Sequence, residues 1–264
     1  MNSVSNTKNT SLFKELASKK LFFPIIGCVL NGTQDGWVYK SSRLEEEYFL
    51  VIHKFGFAQI VSLDNVINEE KILETIMDWM SDDQFPIKKI RIYNLSDDNN
   101  FKLKNIFGNR YLSGKRIRFS LPQSTSFDSI IMNDLQIRSV KRADLELIDH
   151  DFHVESGSRF WNSYDEFLDL GKAKILLKVG NLASFCYSAA TCENQVEVDV
   201  ITHEKYRKQG LARLVTESFL DSCLSQGIKP LWDCYKDNLG SVALAETLGF
   251  KEIEEYNFTI ISKQ

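Results

Sequence analysis

Residues 196–212 (VEVDVITHEKYRKQGLA) join an alternating strand to a helix through a basic, small-residue turn, and no other stretch constrains the fold as much. Val196, Val198 and Val200 share one face of the strand, and Glu197, Asp199 and Ile201 the other, because strand side chains alternate. The turn closes with Arg207-x-x-Gly210-x-Ala212, and an amphipathic helix starts at once. At such a helix start, unpaired backbone N–H groups and the positive end of the helix dipole converge on an anion. Gly210 and Ala212 leave its approach clear. The strand therefore brings carboxylates next to a diphosphate cradle, so a candidate base and an anion site arrive together.

The turn is not one of the two commonest phosphate loops: G-x-x-x-x-G-K-[ST] is absent, and so are the three glycines of a dinucleotide fingerprint. Instead R-x-x-G-x-A, preceded by an apolar strand and Tyr206, resembles the acyl-CoA-binding motif of the GNAT acetyltransferase superfamily. Downstream come a strand-like segment at 229–235 (KPLWDCY), Asn238, a helix-like SVALAETLGF and a last strand. Asn followed by a short helix ending in L-G-F is the second half of the same signature. The A-L-A-E-x-L-G-F helix preceded by W-D-C-Y also resembles a two-domain branch that includes antibiotic self-resistance acetyltransferases of bacilli.

Periodicity supplies the surrounding elements. A strand is expected at 135–140, helices at 142–150 and 163–170, and a hairpin of 174–179 with 182–190 across Gly180-Asn181. The helix at 211–225 sets Leu211, Val215, Phe219 and Cys223 on one face, with Gly227 as its stop. The order β-α-α-β-β-β-α-β-α-β is that of the GNAT fold, so the resemblance covers residues 126–264. The expected class is α/β, with a central mixed, splayed sheet. Residues 121–134, rich in Ser, Thr and Asp, are the linker candidate, giving domains 1–125 and 126–264.

The first domain reads as α+β: a short helix at 11–20, strands at 36–40, 48–53 and 57–62, a helix at 69–80, a strand at 88–93, a helix at 101–107 and a strand at 111–121. From Gly36 onward this order matches the later part of the same topology, so either a degenerate copy or an unrelated domain fits. Between 57–62 and 69–80 the chain reads LDNVIN, so a copy would lack the diphosphate cradle.

The resemblance implies acetyl-CoA as co-substrate and roles for particular residues. It assigns the diphosphate to the amides of Lys208, Gln209, Gly210, Leu211 and Ala212 with Arg207 adding charge, and the pantetheine arm to the backbone of Val200, Ile201 and Thr202 and to Asn238. Asn238 is equally a good helix cap. Glu197 matches the position of the carboxylate that deprotonates the amine. Asp199, on the same face about 7 Å away, is the second candidate, and the two would raise each other's proton affinity. Many members carry a Tyr in the last helix as the acid, where this chain has Ala245; Tyr235 is the substitute candidate. Phe160 and Trp161, in the loop overlying the acceptor site, are expected either to wall the substrate pocket or to fill the core, and Asp233 is a substrate-contact candidate.

The expected reaction is acetyl transfer to the primary amine of a small molecule by direct attack. Two other readings stay open: a non-catalytic acyl-CoA-binding module, and a transferase acting on a protein amine. Among the 264 residues, five cysteines without C-x-x-C spacing and four scattered histidines offer no metal site. A net charge of −4 gives no footprint for nucleic acid. No apolar run approaches the roughly 18 residues of a membrane span. Residues 21–30 (LFFPIIGCVL), with I-I-G-C around Cys28, resemble a lipoprotein box, but the apolar run before Cys28 is too short and contains Pro24. A cytoplasmic enzyme with reduced thiols is the expectation, and a homodimer is left open.

Overall fold

The same ten-element order occurs twice along the chain. The computed structural model describes residues 3–4, 10–19, 21–41, 48–63, 68–127 and 134–263. The first run comprises β1 (Ser3–Val4), α1 (Thr10–Ala17), α2 (Pro24–Asn31), β2 (Gly36–Lys40), β3 (Tyr48–His53), β4 (Phe57–Ser62), α3 (Glu69–Ser81), β5 (Lys89–Tyr93), α4 (Asp97–Phe107) and β6 (Tyr111–Ser120). The second comprises β7 (Leu135–Ser139), α5 (Leu145–Phe152), α6 (Tyr164–Leu170), β8 (Lys174–Lys178), β9 (Asn181–Cys192), β10 (Gln195–Thr202), α7 (Leu211–Leu224), β11 (Lys229–Tyr235), α8 (Leu239–Thr247) and β12 (Lys251–Ser262). The N-terminal half thus repeats the whole order, not only its later part.

Contacts divide the chain into two units, residues 1–116 with 254–264, and residues 117–253. In the first unit, the far part of β12 pairs antiparallel with β5, from Phe258↔Tyr93 to Ser262↔Lys89. In the second, the strand beside β11 is the end of β6. Each run therefore lends its last strand to the other unit. The expected boundary at 125/126 separates the two runs along the chain, whereas the contact division falls at 116/117 and returns 254–264 to the first unit. The centre of the expected linker, 128–133, lies outside the described residues, as does 64–67 of the LDNVIN segment.

Each unit has its own core. In the second, the expected α7 stripe of Leu211, Val215, Phe219 and Cys223 packs with Val196 of β10, Trp232 of β11 and Ala245 of α8. In the first, Ile76 and Trp79 of α3 pack on Leu50, Ile90 and Ile92 of the sheet. The sequence reading passed over α2, and the reason is physical. Pro24, Ile25, Ile26, Cys28 and Leu30 are all buried, so the helix is apolar around its circumference and shows no helical period. Pro24 opens it and Gly32 (φ 78°) closes it in the left-handed conformation. The run that resembled a lipoprotein box is thus core, with Cys28 fully buried.

Two other expectations shift. The hairpin's left-handed residues are Val179 (φ 49°) and Gly180 (φ 76°), and Asn181 already belongs to β9, paired with Lys178. The loop thus sits one residue earlier than expected and keeps the alternation of β9 intact. The helix expected at 101–107 starts at Asp97, because the Ser96 side chain accepts from the Asn99 N–H and Asp97 and Asp98 favour the helix dipole.

The start of α5 is pinned by Asp144. Its carboxylate takes a two-point bond from Arg138 (2.6 and 2.7 Å) and accepts the Lys141 N–H at 2.7 Å. The Arg138 bond chiefly, with the Lys141 bond, holds the Asp144 carboxyl below its ordinary range. A depressed carboxyl stabilises the fold above the unfolded-state value and loses that contribution as pH falls through the folded one. Asp144→Asn should therefore cost about 1–2 kcal/mol at neutral pH. Urea unfolding of both proteins should show the gap closing well below pH 4; a gap that persists there would remove the charge from the account.

Candidate active site

The slot opens where two parallel strands part. β10 pairs with β9 from Gln195 to Thr202 but with β11 only at Gln195↔Lys229, Val196↔Pro230 and Glu197↔Leu231. From Val198 onward the edge of β10 that faces β11 has no partner strand among the described residues, and residues 197–202 are half-buried although the strand lies inside the sheet. The register of β9 against β10 shifts between Glu197 and Val198, a bulge at the point of divergence. Val200, Ile201 and Thr202, expected to meet a pantetheine arm, lie along this open edge.

The cradle follows. The His203 side chain accepts the Lys205 N–H, a single helical turn spans Glu204–Tyr206, and Arg207 Nε donates to the Thr202 carbonyl at 3.3 Å. Lys208 (φ 59°) and Gly210 (φ 77°) are both left-handed, which turns the chain into α7. α7 has no side-chain cap and no acidic residue in its first turn. Among the described residues, no acceptor faces the backbone N–H groups from Lys208 to Ala212. A Cβ built on Gly210 would meet nothing within 4 Å. These open amides above free space fit a diphosphate. Gln209 turns aside: its side chain accepts from Lys178 Nζ at 2.7 Å.

On the sheet face opposite the α7 core, the carboxylates gather around an arginine that sequence reasoning missed. Arg118 of β6 is 2% exposed at its side chain. Its Nη2 lies 3.3 Å from Glu197 Oε1, and its Nε lies 3.1 Å from Asp233 Oδ2. Asp199 accepts from the Tyr187 hydroxyl at 2.7 Å. Burial first, and the Asp199 charge second, push the Tyr187 phenol well above its ordinary range, so it stays a neutral donor. Glu197 and Asp199 thus each have a partner of their own, rather than forming the mutually repelling pair expected from spacing. Arg118 is what allows Glu197 and Asp233 to sit at 13% and 10% side-chain exposure. Its signal in the sequence is an arginine between Ile117 and Phe119 of an apolar strand, but its partner Glu197 is 79 residues away.

Of the two readings of the aromatics, core filling describes their burial. Trp161 is fully buried, and its Nε1 donates to the Ser188 carbonyl at 3.1 Å, so it ties the α5–α6 loop to β9 and presents no pocket wall. Phe160 is also buried and packs against Tyr187, with ring centroids 6.5 Å apart, so it reaches the site through that tyrosine. Asn238 caps α8 by accepting the Ser241 N–H at 3.2 Å. Tyr235 is half-buried at the end of β11, on the same strand face as Asp233. Ala245 is fully buried in the core under α8, so that position sends no group into the slot. Among the described residues no cluster of His, Cys, Asp or Glu is built to hold a metal, and no helix is long and apolar enough to cross a membrane.

Known proteins give the class to which this chain belongs. A family model described as GNAT acetyltransferase matches residues 26–259. The chain belongs to the GNAT acetyltransferase family and is an N-acetyltransferase by class. It is 28% identical over 251 residues to the uncharacterized N-acetyltransferase YdfB of Bacillus subtilis, covering 94% of each chain. Over 78 residues it is 28% identical to the ribosomal protein bS18 alanine N-acetyltransferase of Escherichia coli, covering 29% of this chain and 53% of that one. The fold is shared with a GCN5-related N-acetyltransferase-like protein of Streptococcus suis (TM-score 0.70, 20% identity, 95% of this chain and 98% of that one). It is also shared with a tandem GNAT protein from the clavulanic acid biosynthesis pathway (TM-score 0.56, 11% identity, 86% and 82%).

Proposed function

We propose that the protein transfers an acetyl group from acetyl-CoA to the primary amine of a small molecule, in the unit formed by residues 117–253. The observation that carries this is the conjunction of the open amides at Lys208–Ala212 with the parting of β10 from β11 at Glu197. A thioester laid along Val198–Thr202 would present its carbonyl near the fork. There, Glu197 and Asp233 pair with Arg118, Asp199 accepts from Tyr187, and the Arg159 charge acts on Tyr187. Three carboxylates against two guanidinium groups leave a negative surplus, which complements an ammonium.

Glu197 or Asp199 takes a proton from the ammonium, directly or through water. The freed lone pair attacks the thioester carbonyl and forms the carbon–nitrogen bond, the carbon–sulfur bond breaks, and the second nitrogen proton passes through water to the departing thiolate. Acyl transfer of this kind depends chiefly on positioning and on removing that proton. The recessed carboxylates favour a small acceptor over the flat surface of a folded protein. Thermal-shift titration with acetyl-CoA, followed by an amine panel read out by free CoA thiol, tests the reading. A panel without turnover together with saturable CoA binding would move the protein to the acyl-CoA-binding class. Acetylation confined to protein amines would reassign the acceptor.

The thiol readout is clean in this protein. All five cysteines are buried thiols outside any disulfide; burial pushes Cys223 up to about 12 and Cys186 well above its ordinary value. The native protein should give almost no fast reaction with an aromatic disulfide reagent at pH 8, and the denatured protein should give all five equivalents.

A further inference from the structure

The first unit has a fork of its own. β4 pairs with β3 from Ala58 to Ser62, but with the parallel β5 only at Phe57↔Arg91 and Ala58↔Ile92. Beyond that point lies a cavity of about 370 Å³, lined in part by Gln59, Ile72, Leu95 and Asn99, with Lys19 and Glu69 also on its wall. This volume lies within the range of small-molecule pockets.

Two buried polar side chains on its wall carry atoms with no hydrogen bond among the described residues. Asn99 is fully buried, and among the described residues neither its Nδ2 nor its Oδ1 has a hydrogen bond. Gln59 is 7% exposed, and its Oε1 is likewise unmet. The neighbour Asn100 is the contrast: its amide donates to the Leu95 and Ser96 carbonyls, and its carbonyl accepts from Tyr111. Buried amides are ordinarily satisfied, so an orphaned donor and acceptor on one side chain ask for a complement.

The complement is not CoA. The α3 helix that follows β4 has its amides closed off, since Asn68 Oδ1 accepts the Glu70 and Lys71 N–H groups at 3.0 and 3.4 Å. Glu69 and Glu70 place two negative charges in its first turn. Both features are reversed at α7. A diphosphate would meet two carboxylates here, with the Glu70 and Lys71 amides already taken.

We propose that the fork of the first unit is a second small-molecule site, built for a neutral or cationic compound carrying a carboxamide. The Asn99 side chain offers a donor and an acceptor side by side, which a ligand amide matches with its carbonyl and N–H. Gln59 Oε1 takes a further N–H or O–H. Ile72 and Leu95 cover the apolar part, and Glu69 and Glu254 on the wall outweigh Lys19, which pairs with Glu15 at 3.5 Å, so an amine is favoured over a carboxylate on the ligand.

The test uses the full chain, with L-alaninamide and glycylglycinamide as probes, sodium acetate as a negative control and CoA as an independent ligand. Calorimetry should show saturable binding of at least one amide, unaffected by saturating CoA, and no binding of acetate. Asn99→Leu should weaken amide binding at least tenfold and leave CoA affinity unchanged. Absence of saturable amide binding, or equal affinity in Asn99→Leu, would overturn the proposal. If Asn99→Leu fails to fold, Gln59→Leu and a crystal of the wild type soaked with the amide decide it. Amide density against Asn99 supports the site, and ordered water alone refutes it. CoA binding is measured separately, so failure of the second site leaves the acetyltransferase reading standing, and the reverse.

Discussion

Gly210→Asp should abolish the thermal stabilisation given by CoA while leaving the free protein folded. The backbone at Gly210 is left-handed (φ 77°), a conformation that aspartate tolerates better than most residues. Nothing lies within 4 Å of an added Cβ, so the substitution meets no steric conflict in the absence of ligand. The new carboxylate would stand at the start of α7, where the open amides point. Two unit charges 4 Å apart repel by about 1 kcal/mol in water and about 4 kcal/mol near a protein surface, which is a loss of roughly five- to thousandfold in affinity. Wild-type protein with CoA at a hundredfold its dissociation constant gains about 2.7 kcal/mol, a shift of several degrees. Gly210→Asn separates charge from backbone strain: it adds similar bulk without the charge and should retain most of the shift. Equal CoA binding by folded Gly210→Asp and wild type would remove the basis for placing the diphosphate here.

The parts of this fold that could be read from the sequence were those whose physics is local. The cradle is a contiguous run in which strand alternation, a small-residue turn and a helical stripe follow one another, and the structure places β10 and α7 where the pattern put them. The strands at Gly36–Lys40, Tyr48–His53 and Phe57–Ser62 were equally legible, each bounded by turn or charged residues. α2 was not, because a helix buried on all sides has no period to detect. The hairpin loop was misplaced by one residue because Gly180-Asn181 and Val179-Gly180 both contain the glycine that a two-residue turn needs, and only strand pairing distinguishes them.

What makes the candidate site chemically specific was out of reach for a different reason. Arg118 acquires its meaning only when β6 takes its place beside β11, and that placement depends on the exchange of last strands between the two runs. The β6 and β12 segments both alternate, and nothing local says which unit each will complete. Tyr187 is similar: the sequence shows an aromatic in an apolar strand, and only its register opposite Asp199 makes it the donor to that carboxylate. The second fork, between β4 and β5, carries no local signal, because no basic small-residue turn follows β4. Its orphaned Asn99 and Gln59 appear only when burial is known.

Glu197→Gln should slow the chemical step by about 10²–10⁴-fold while leaving CoA affinity unchanged, since loss of a positioned general base typically costs that much. Glu197 lies at the fork itself, the last residue of β10 paired with β11, so it is the carboxylate nearest the point where the two strands part. Its partner Arg118 stays in place in the glutamine variant, still facing Asp233, so the site keeps most of its charge balance. Asp199→Asn should cost less, because Tyr187 already occupies one of its oxygens and the amide can accept the same bond. Tyr235→Phe should have a modest effect: a thiolate is a good leaving group, and Ala245 leaves no side chain of α8 in the slot at that position. With an ammonium acceptor, the wild-type rate should rise with pH until the amine is free. Loss of the base should move that rise toward the solution value of the amine, which a purely structural lesion would leave unshifted. Single-turnover rates across pH for the three variants rank the roles. A larger loss in Asp199→Asn than in Glu197→Gln would transfer the base to Asp199, and no loss in either would mean that the amine arrives deprotonated.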